Sequence, residues 1–249
     1  MISKRIGEGP AQAGRNHSAG ARKTGCVLYE NAESALVLTL RSVNTKKTGK
    51  MGQAWIIPVR IDPAKPPRTW AHWVGCQDCA LLRWCYVQWP QAPSHVWQKY
   101  RRGEYPPVEW GALSETLVRI GASGDPGVIP IDVWEELVRR CKGYVGYTHM
   151  WRRASSQPLR QYLRASVESE AGQRAAAAMG WRTFRVKAPD MPRLAGEMTC
   201  PASVVGHSVT CDKCLTCRGV GPNVVIDAHG RRASQLAAWL RAQAHRRAP

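Results

Sequence analysis

The sequence lacks any long apolar run. No stretch approaches the roughly 20 residues that a membrane-spanning helix needs, and the first residues contain no signal-type apolar core. We therefore expect a cytoplasmic protein with no membrane partner. Acidic residues are also scarce, because 18 Asp and Glu face 36 Lys and Arg and leave a formal net charge of +18. An excess of this size predicts a polyanionic partner, either a nucleic acid or a nucleotide.

Phenylalanine is almost absent, with one residue against 11 tryptophans. Several of the tryptophans adjoin arginines, as in Arg83–Trp84, Trp151–Arg152 and Trp181–Arg182. Indole faces beside guanidinium groups suit stacked bases and phosphates. The alternative is that most of these indoles pack in the core.

The composition divides the chain into three parts. Residues 1–25 are rich in Gly, Ala and basic side chains and bury too little to order themselves, so they predict a disordered basic tail. Residues 26–230 predict a single domain that contains both cysteine-rich segments, at 76–85 and 200–217. Residues 231–249 predict a basic C-terminal helix.

Short strands alternate with helices through most of this domain. The turn residues of "NTKKTGKMG" separate two apolar stretches and predict a hairpin or a strand–loop–strand unit. A helix is predicted to open at Pro130, and another over 170–179 with Gly180 as its C-cap. Strands are predicted at 35–40, 117–120, 144–147, 162–167, 183–186 and 223–230. This alternation predicts an α/β fold, an incomplete βα (TIM-like) barrel with a cysteine-rich, metal-binding C-terminal segment.

Polar residues follow the predicted strands at their carboxyl ends, where α/β folds bind ligands. These residues are Ser123, Asp125, Thr148, His149, Glu168, Ser169 and His229.

Nine cysteines in a chain without an export signal argue against disulfides, because the cytosol keeps thiols reduced. Seven of them cluster. We call Cys76, Cys79 and Cys85 the first thiol group. The second thiol group is Cys200, Cys211, Cys214 and Cys217.

The second thiol group has a Cys-x-x-Cys-x-x-Cys run with a fourth cysteine at a distance. That run is ferredoxin-like and favours an iron–sulfur cluster, with zinc as the alternative. His207 could replace one ligand.

The first thiol group leaves two interpretations open. A zinc site would need a fourth ligand, for which His72 is close enough in sequence. A four-iron cluster held by three thiolates would leave one iron open to a substrate or cofactor. A thioredoxin-type redox pair is less favoured, since Cys76 and Cys79 do not begin a clear helix after a strand.

The order of these motifs resembles the spore-photoproduct-lyase-like and phage-encoded branches of the radical S-adenosylmethionine superfamily. The resemblance rests on the Cys85–Tyr86 pair, "GASGDPGVIP", "SVES" and the "NTKKTG" stretch, and it spans about residues 44–186. The chain as a whole resembles a phage or prophage protein.

The resemblance implies a 4Fe-4S cluster on Cys76, Cys79 and Cys85, with S-adenosylmethionine chelating the fourth iron and being cleaved to a 5′-deoxyadenosyl radical. It also implies cofactor binding by Ser123, Asp125 and Glu168, and an auxiliary cluster on the second thiol group. His149 and His229 would face the substrate, with Asp125 as a further catalytic candidate.

Three functions follow as hypotheses. The first is a radical-SAM-like enzyme that acts on a nucleic acid or nucleotide. The second is a zinc-binding, basic nucleic-acid-binding protein of a mobile element, without redox chemistry. The third is a barrel nucleobase transglycosylase with structural zinc and a nucleophilic Asp125. The sequence indicates no protein partner.

Overall fold

The computed structural model describes residues 24–40, 47–61, 75–85, 87–204 and 209–245. Most of the predicted basic tail, the candidate ligands His72 and His207, and Tyr86 lie outside the described residues.

The described strands are β1 (Gly25–Glu30), β2 (Ser34–Thr39), β3 (Gly52–Pro58), β4 (Leu117–Ser123), β5 (Gly143–Val145), β6 (Tyr147–Thr148), β7 (Arg164–Val167), β8 (Thr183–Lys187), β9 (Glu197–Thr199) and β10 (Asn223–Asp227). The helices are α1 (Ala92–Arg101), α2 (Ile131–Arg140), α3 (Glu170–Ala178), α4 (Cys211–Cys214) and α5 (Ala233–His245). The α/β class is therefore confirmed.

The first sheet has the order β1-β2-β3-β4-β5. Its first three strands are antiparallel, so the predicted hairpin across residues 44–52 is confirmed as the β2–β3 pair. β4 and β5 then continue the sheet in parallel. All six residues of β2 are buried, as expected for a strand covered on both faces.

The second sheet has the order β6-β7-β8-β10-β9, and every pair in it is parallel. The strand predicted at 144–147 is divided at Gly146, because β5 pairs with β4 whereas β6 pairs with β7. A Cβ at Gly146 would lie 2.9 Å from side-chain atoms of Ile120 and Leu163, so this crossing requires glycine. Within the described residues the two sheets do not close into a barrel.

Helices α2 and α3 lie close to their predicted positions, whereas α1 and α4 were not predicted. Ser169 caps α3 by accepting a hydrogen bond from the Gly172 N–H at 3.1 Å. After α3, Gly180 adopts a φ of +80°, which fits its predicted role at the helix end. In α2 the indole of Trp134 is fully buried and donates to the Pro126 carbonyl at 3.0 Å, which holds the helix against the loop after β4.

Apolar side chains from helices and sheets form the core. One cluster joins α2 and α3 to both sheets and includes Trp134, Trp151 and Trp181. A second joins β8 and β10 to α5 through Leu236 and Leu240. The predicted C-terminal helix is therefore packed on the domain. None of the helices in the described ranges is both long and apolar enough to cross a membrane.

The prediction that tryptophans beside arginines stack on bases is wrong for two of the three pairs. Trp151 and Trp181 are 1% and 2% exposed, because both pack in the core. Arg152 does lie over the Trp151 ring, at 3.8 Å, but on an indole whose other contacts are internal. Trp84 remains partly exposed, and its ring lies 4.6 Å from that of Trp239 on α5.

Charged residues occupy one face of the second sheet. Arg185 on β8 forms a buried bidentate pair with Glu197 on β9, at 2.6 and 2.7 Å. Beside it, Lys187 pairs with Asp227 on β10 at 2.6 Å. The strand register places these four residues on the same face, so each buried cation there has its own carboxylate.

Candidate functional site

A cavity of about 80 Å³ lies at the carboxyl ends of β4 and β6. Its lining includes the whole first thiol group together with Ser123, Asp125 and His149. Segments separated by about 70 residues of sequence therefore meet at one point. Parallel strands place their carboxyl ends at a shared edge, which is where α/β folds bind ligands. Tyr147, which the sequence did not single out, also lines the cavity.

The thiol loop, residues 75–85, is a series of tight turns. Backbone N–H groups of Cys79, Leu82 and Cys85 donate to the carbonyls three residues earlier, at 3.0–3.2 Å. These turns direct the cysteine side chains toward one cavity. Because the loop consists of successive tight turns and not of a regular helix, all three cysteines line one cavity despite the uneven Cys-x-x-Cys-x₅-Cys spacing.

Two contacts fix this loop to the strand ends. The Asp125 N–H donates to the Gly75 carbonyl at 2.9 Å. The Arg153 guanidinium holds the Asp78 carboxylate at 2.5 and 3.1 Å. The sequence offered no signal for the second contact, since Asp78 and Arg153 are far apart and both look like ordinary surface charges.

Asp125 is 5% exposed, and both of its carboxylate oxygens are occupied. One oxygen accepts hydrogen bonds from the Gly127 N–H at 2.9 Å and the Thr148 hydroxyl at 2.5 Å. The other accepts from the His149 N–H at 2.6 Å. Asp125 therefore ties the loop after β4 to the end of β6. A carboxylate held in this way is poorly placed for the nucleophilic role of the transglycosylase hypothesis.

His149 lies between Asp125 and Cys79. Its Nδ1 is 3.5 Å from Asp125 Oδ2, and the Cys79 thiol is within hydrogen-bonding reach. Burial lowers the pKa of His149, but Cys79 and Asp125 together raise it well above its usual value. His149 is thus a proton-holding group beside the thiols, with 18% of its side chain exposed.

Cys76 and Cys85 of the first group are poor candidates for redox exchange. Burial raises the pKa of Cys76 strongly, and the neighbouring Cys79, Cys85 and Asp125 raise it further. Burial also raises the pKa of Cys85. Reactive redox cysteines need lowered pKa values. A bound metal, which displaces thiol protons, is the more natural partner of this group.

Ser123 ends β4 and is 2% exposed, and it lines the cavity. Its hydroxyl oxygen has no hydrogen-bond partner among the described residues. Gly121, two residues earlier, has a φ of +74°, and the β3–β4 register shifts in this region. An unpartnered buried hydroxyl is costly unless a ligand completes it.

The second thiol group lies elsewhere in the molecule. Cys200 follows β9, and Cys211 and Cys214 bound the single turn of α4. The Cys211 N–H donates to the Lys47 carbonyl at 2.8 Å, and the Cys217 carbonyl accepts from the Gly146 N–H at 2.8 Å. Backbone hydrogen bonds therefore hold this segment against the residues just before β3 and against the junction between the two sheets.

The four thiols of this group influence one another. Burial is the main cause of the raised pKa of Cys217, which is about 12. The Arg164 guanidinium opposes the rise in this pKa, and the other three thiols add to it. Burial and the neighbouring Cys200 raise that of Cys211 to about 11. Between Cys214 and Cys217, Leu215 adopts a φ of +48°, a conformation that branched residues rarely take. The strained turn brings Cys217 back toward Cys214.

The remaining predicted residues do not join the cavity. Glu168 is half-buried directly after β7, and the cavity lining does not include it. His229 follows β10, and its Nδ1 is 3.0 Å from the Asp227 carbonyl. Burial, together with the cations Lys47 and Arg119, lowers its pKa. Because Lys47 also adjoins Cys200 and Arg119 adjoins Cys211, His229 belongs to the surroundings of the second thiol group.

The chain matches no protein-family model, no curated protein and no solved structure. The candidate site therefore rests on its own geometry. Over the described ranges, no group of three or more His, Cys, Asp or Glu side chains is placed to hold a metal ion.

Proposed function

We propose that the protein is a radical-SAM-like iron–sulfur enzyme built on an incomplete βα barrel. The observation that carries the proposal is the meeting of three thiols with the unpartnered Ser123 hydroxyl in one cavity at the strand ends. The thiols would hold an open four-iron cluster, and Ser123 would hydrogen-bond the cofactor.

The donor set favours a cluster over a single zinc ion. Thiolates on one zinc lie about 3.8 Å apart, given Zn–S bonds of about 2.3 Å, and this requires a tight group. A four-iron cluster gives each thiolate its own iron, so its ligands are spread more widely. Three thiols that line one cavity supply the three ligands of an open four-iron cluster and leave a zinc ion one thiolate short.

Cys76, Cys79 and Cys85 would hold such a cluster, which, reduced by a low-potential one-electron donor, would supply one-electron chemistry to a bound S-adenosylmethionine. The protein's residues orient the reactants. Asp125 holds the two strand ends in register, and Arg153 anchors the thiol loop through Asp78. His149 lies at the wall of the cavity, with its Nδ1 3.5 Å from Asp125 Oδ2.

A nucleic acid or nucleotide is the proposed substrate class. The support is the net charge of +18 and the basic surface beside the thiol loop. On that surface Arg232 donates to the Arg83 carbonyl at 2.6 Å, and Arg83 lies 6.0 Å from the centre of the Trp84 ring. Among the described residues, Trp84 is partly exposed and lies beside these arginines, which suits stacking on a base.

Anaerobic purification and reconstitution test the proposal. We expect a brown protein with about four or more irons per chain that, with dithionite, cleaves S-adenosylmethionine to 5′-deoxyadenosine. A colourless protein with stoichiometric zinc and no cleavage would overturn it in favour of the zinc-binding hypothesis. Loss of nucleic-acid binding as salt increases would test the substrate class separately.

Ser123→Ala should have opposite effects on stability and binding. Removing an unpartnered buried hydroxyl should stabilise the ligand-free protein, by about 1 kcal/mol. The same change should weaken S-adenosylmethionine binding by about 2- to 13-fold, since one hydrogen bond contributes about 0.5–1.5 kcal/mol. Thermal unfolding and anaerobic equilibrium dialysis measure the two effects.

Ser156→Ala is the matched control, because Ser156 is also fully buried with an unpartnered hydroxyl among the described residues but does not line the cavity. It should stabilise the protein without changing binding. Equal binding by both variants and the unaltered protein would contradict the role assigned to Ser123.

A further inference from the structure

Arg164, the first residue of β7, is fully buried. One terminal nitrogen donates to the carbonyls of Thr216 and Val220 at 2.7 and 2.8 Å. The other donates to the Thr183 carbonyl at 3.4 Å, and its Nε has no partner in the part of the chain that the structure describes. All of these acceptors are neutral, so they satisfy donors without compensating the charge.

Arg164 differs in this respect from the other buried cations among the described residues. Arg185 pairs with Glu197, and Lys187 pairs with Asp227. No ion pair within the described residues involves Arg164 and a carboxylate, and the nearby Arg182 adds a like charge. An uncompensated buried guanidinium is unfavourable, so an anion beside it is to be expected.

In the described part of the chain, the groups near Arg164 that can carry negative charge are the thiols of Cys217 and Cys214. Thr216, whose carbonyl Arg164 holds, lies between these cysteines, and the Cys214 thiol is 3.0 Å from the Thr216 hydroxyl. Neutral thiols would not compensate the guanidinium. Thiolates bound to a metal would.

We propose that the second thiol group is a four-thiolate metal centre for which Arg164 is the buried counter-charge. Four thiolates around a zinc ion, or around an oxidised four-iron cluster, carry a net charge of about −2. Arg164 offsets part of that charge and fixes the turn between Cys214 and Cys217 through the Thr216 carbonyl. Arg164 is a positioning residue, and the centre does not depend on the activity proposed for the cavity.

The test isolates this centre by removing the first one. In full-length protein with Cys76→Ala, Cys79→Ala and Cys85→Ala, metal analysis should still find zinc or iron at the stoichiometry of one centre. Iron with visible absorbance identifies a cluster, and colourless zinc identifies a single ion. Failure of the proposed enzyme activity would leave this result unchanged, so the two proposals fail separately. Absence of metal from the triple variant would overturn the inference.

Arg164→Met in the same background should weaken metal retention against a chelator by about 10- to 100-fold, the range typical of residues that support metal ligands. The control is Arg185→Met with Glu197→Leu, which removes a buried guanidinium already paired with a carboxylate. It should leave retention unchanged. Equal retention by Arg164→Met and the control would overturn the role of Arg164.

Arg164→Lys keeps the charge but loses the planar donor set. Arg164→Lys should retain metal better than Arg164→Met. If Arg164→Met does not fold, Arg164→Lys is the variant that tests whether Arg164 is the counter-charge. A folded Arg164→Lys protein that retains the metal supports the counter-charge, whereas one that loses it completely overturns the assignment. Circular dichroism verifies folding in each case.

Discussion

Cys85→Ala should abolish cleavage of S-adenosylmethionine while leaving the second thiol group loaded. Cys85 is one of three thiols at the cavity, so its loss leaves two ligands for a cluster that needs three. The expected loss of iron affinity exceeds about 100-fold, the upper end of what removing a mere supporting residue costs. Iron analysis and product chromatography after anaerobic reconstitution measure both effects.

Cys141→Ser is the control, because Cys141 lies after α2 and outside both thiol groups. It should keep full iron content and activity. Loss of all metal from Cys85→Ala would contradict a second centre that loads independently of the first. Retention of cleavage activity would exclude Cys85 as a ligand and with it the proposed cluster.

Glu197→Leu should destabilise the fold by about 3–5 kcal/mol, because it leaves the Arg185 guanidinium buried and unpaired. Glu197 also accepts the Leu194 N–H at 2.7 Å, so one further donor loses its acceptor. The free energy of unfolding from urea titration measures the effect. Adding Arg185→Met should restore most of the stability, since a buried ion pair can be replaced by apolar side chains.

Asp190→Ala serves as the comparison. Asp190 forms a bidentate pair with Arg241, but both side chains are exposed to solvent. Water screens such a pair, so its removal should leave the unfolding curve nearly unchanged. If Glu197→Leu and Asp190→Ala had equal effects, burial would not be what makes the Arg185–Glu197 pair important.

The sequence predicted the local elements well because they depend on neighbouring residues. Gly180 ends α3 as predicted, whereas Ser169, predicted from the sequence as a strand-end ligand candidate, is the N-cap of that helix. The placement of Ser123, Asp125 and His149 at strand ends was also predictable, because parallel strands set that edge by a general rule. Their meeting with the first thiol group was expected only from the family resemblance, since the strand-end rule says nothing about the loop that carries the cysteines.

Long-range contacts were not predictable from the sequence. Nothing near Gly146 indicates that the strand divides there, since the reason is close packing against Ile120 and Leu163. Trp151 and Trp181 looked like a stacking surface because adjacent arginines are visible in the sequence and burial is not. Arg164 likewise reads as an ordinary basic residue until its missing carboxylate is seen in three dimensions.

The contact between Trp84 and Trp239 has a consequence for assembly. Trp84 belongs to the thiol loop, and Trp239 belongs to α5, which is synthesised long after it. During vectorial synthesis the three cysteines of the loop leave the ribosome well before the helix that packs against Trp84. On the proposed function, the thiols would be accessible to a cluster-delivery protein in the nascent chain, and docking of α5 would then slow release of the cluster.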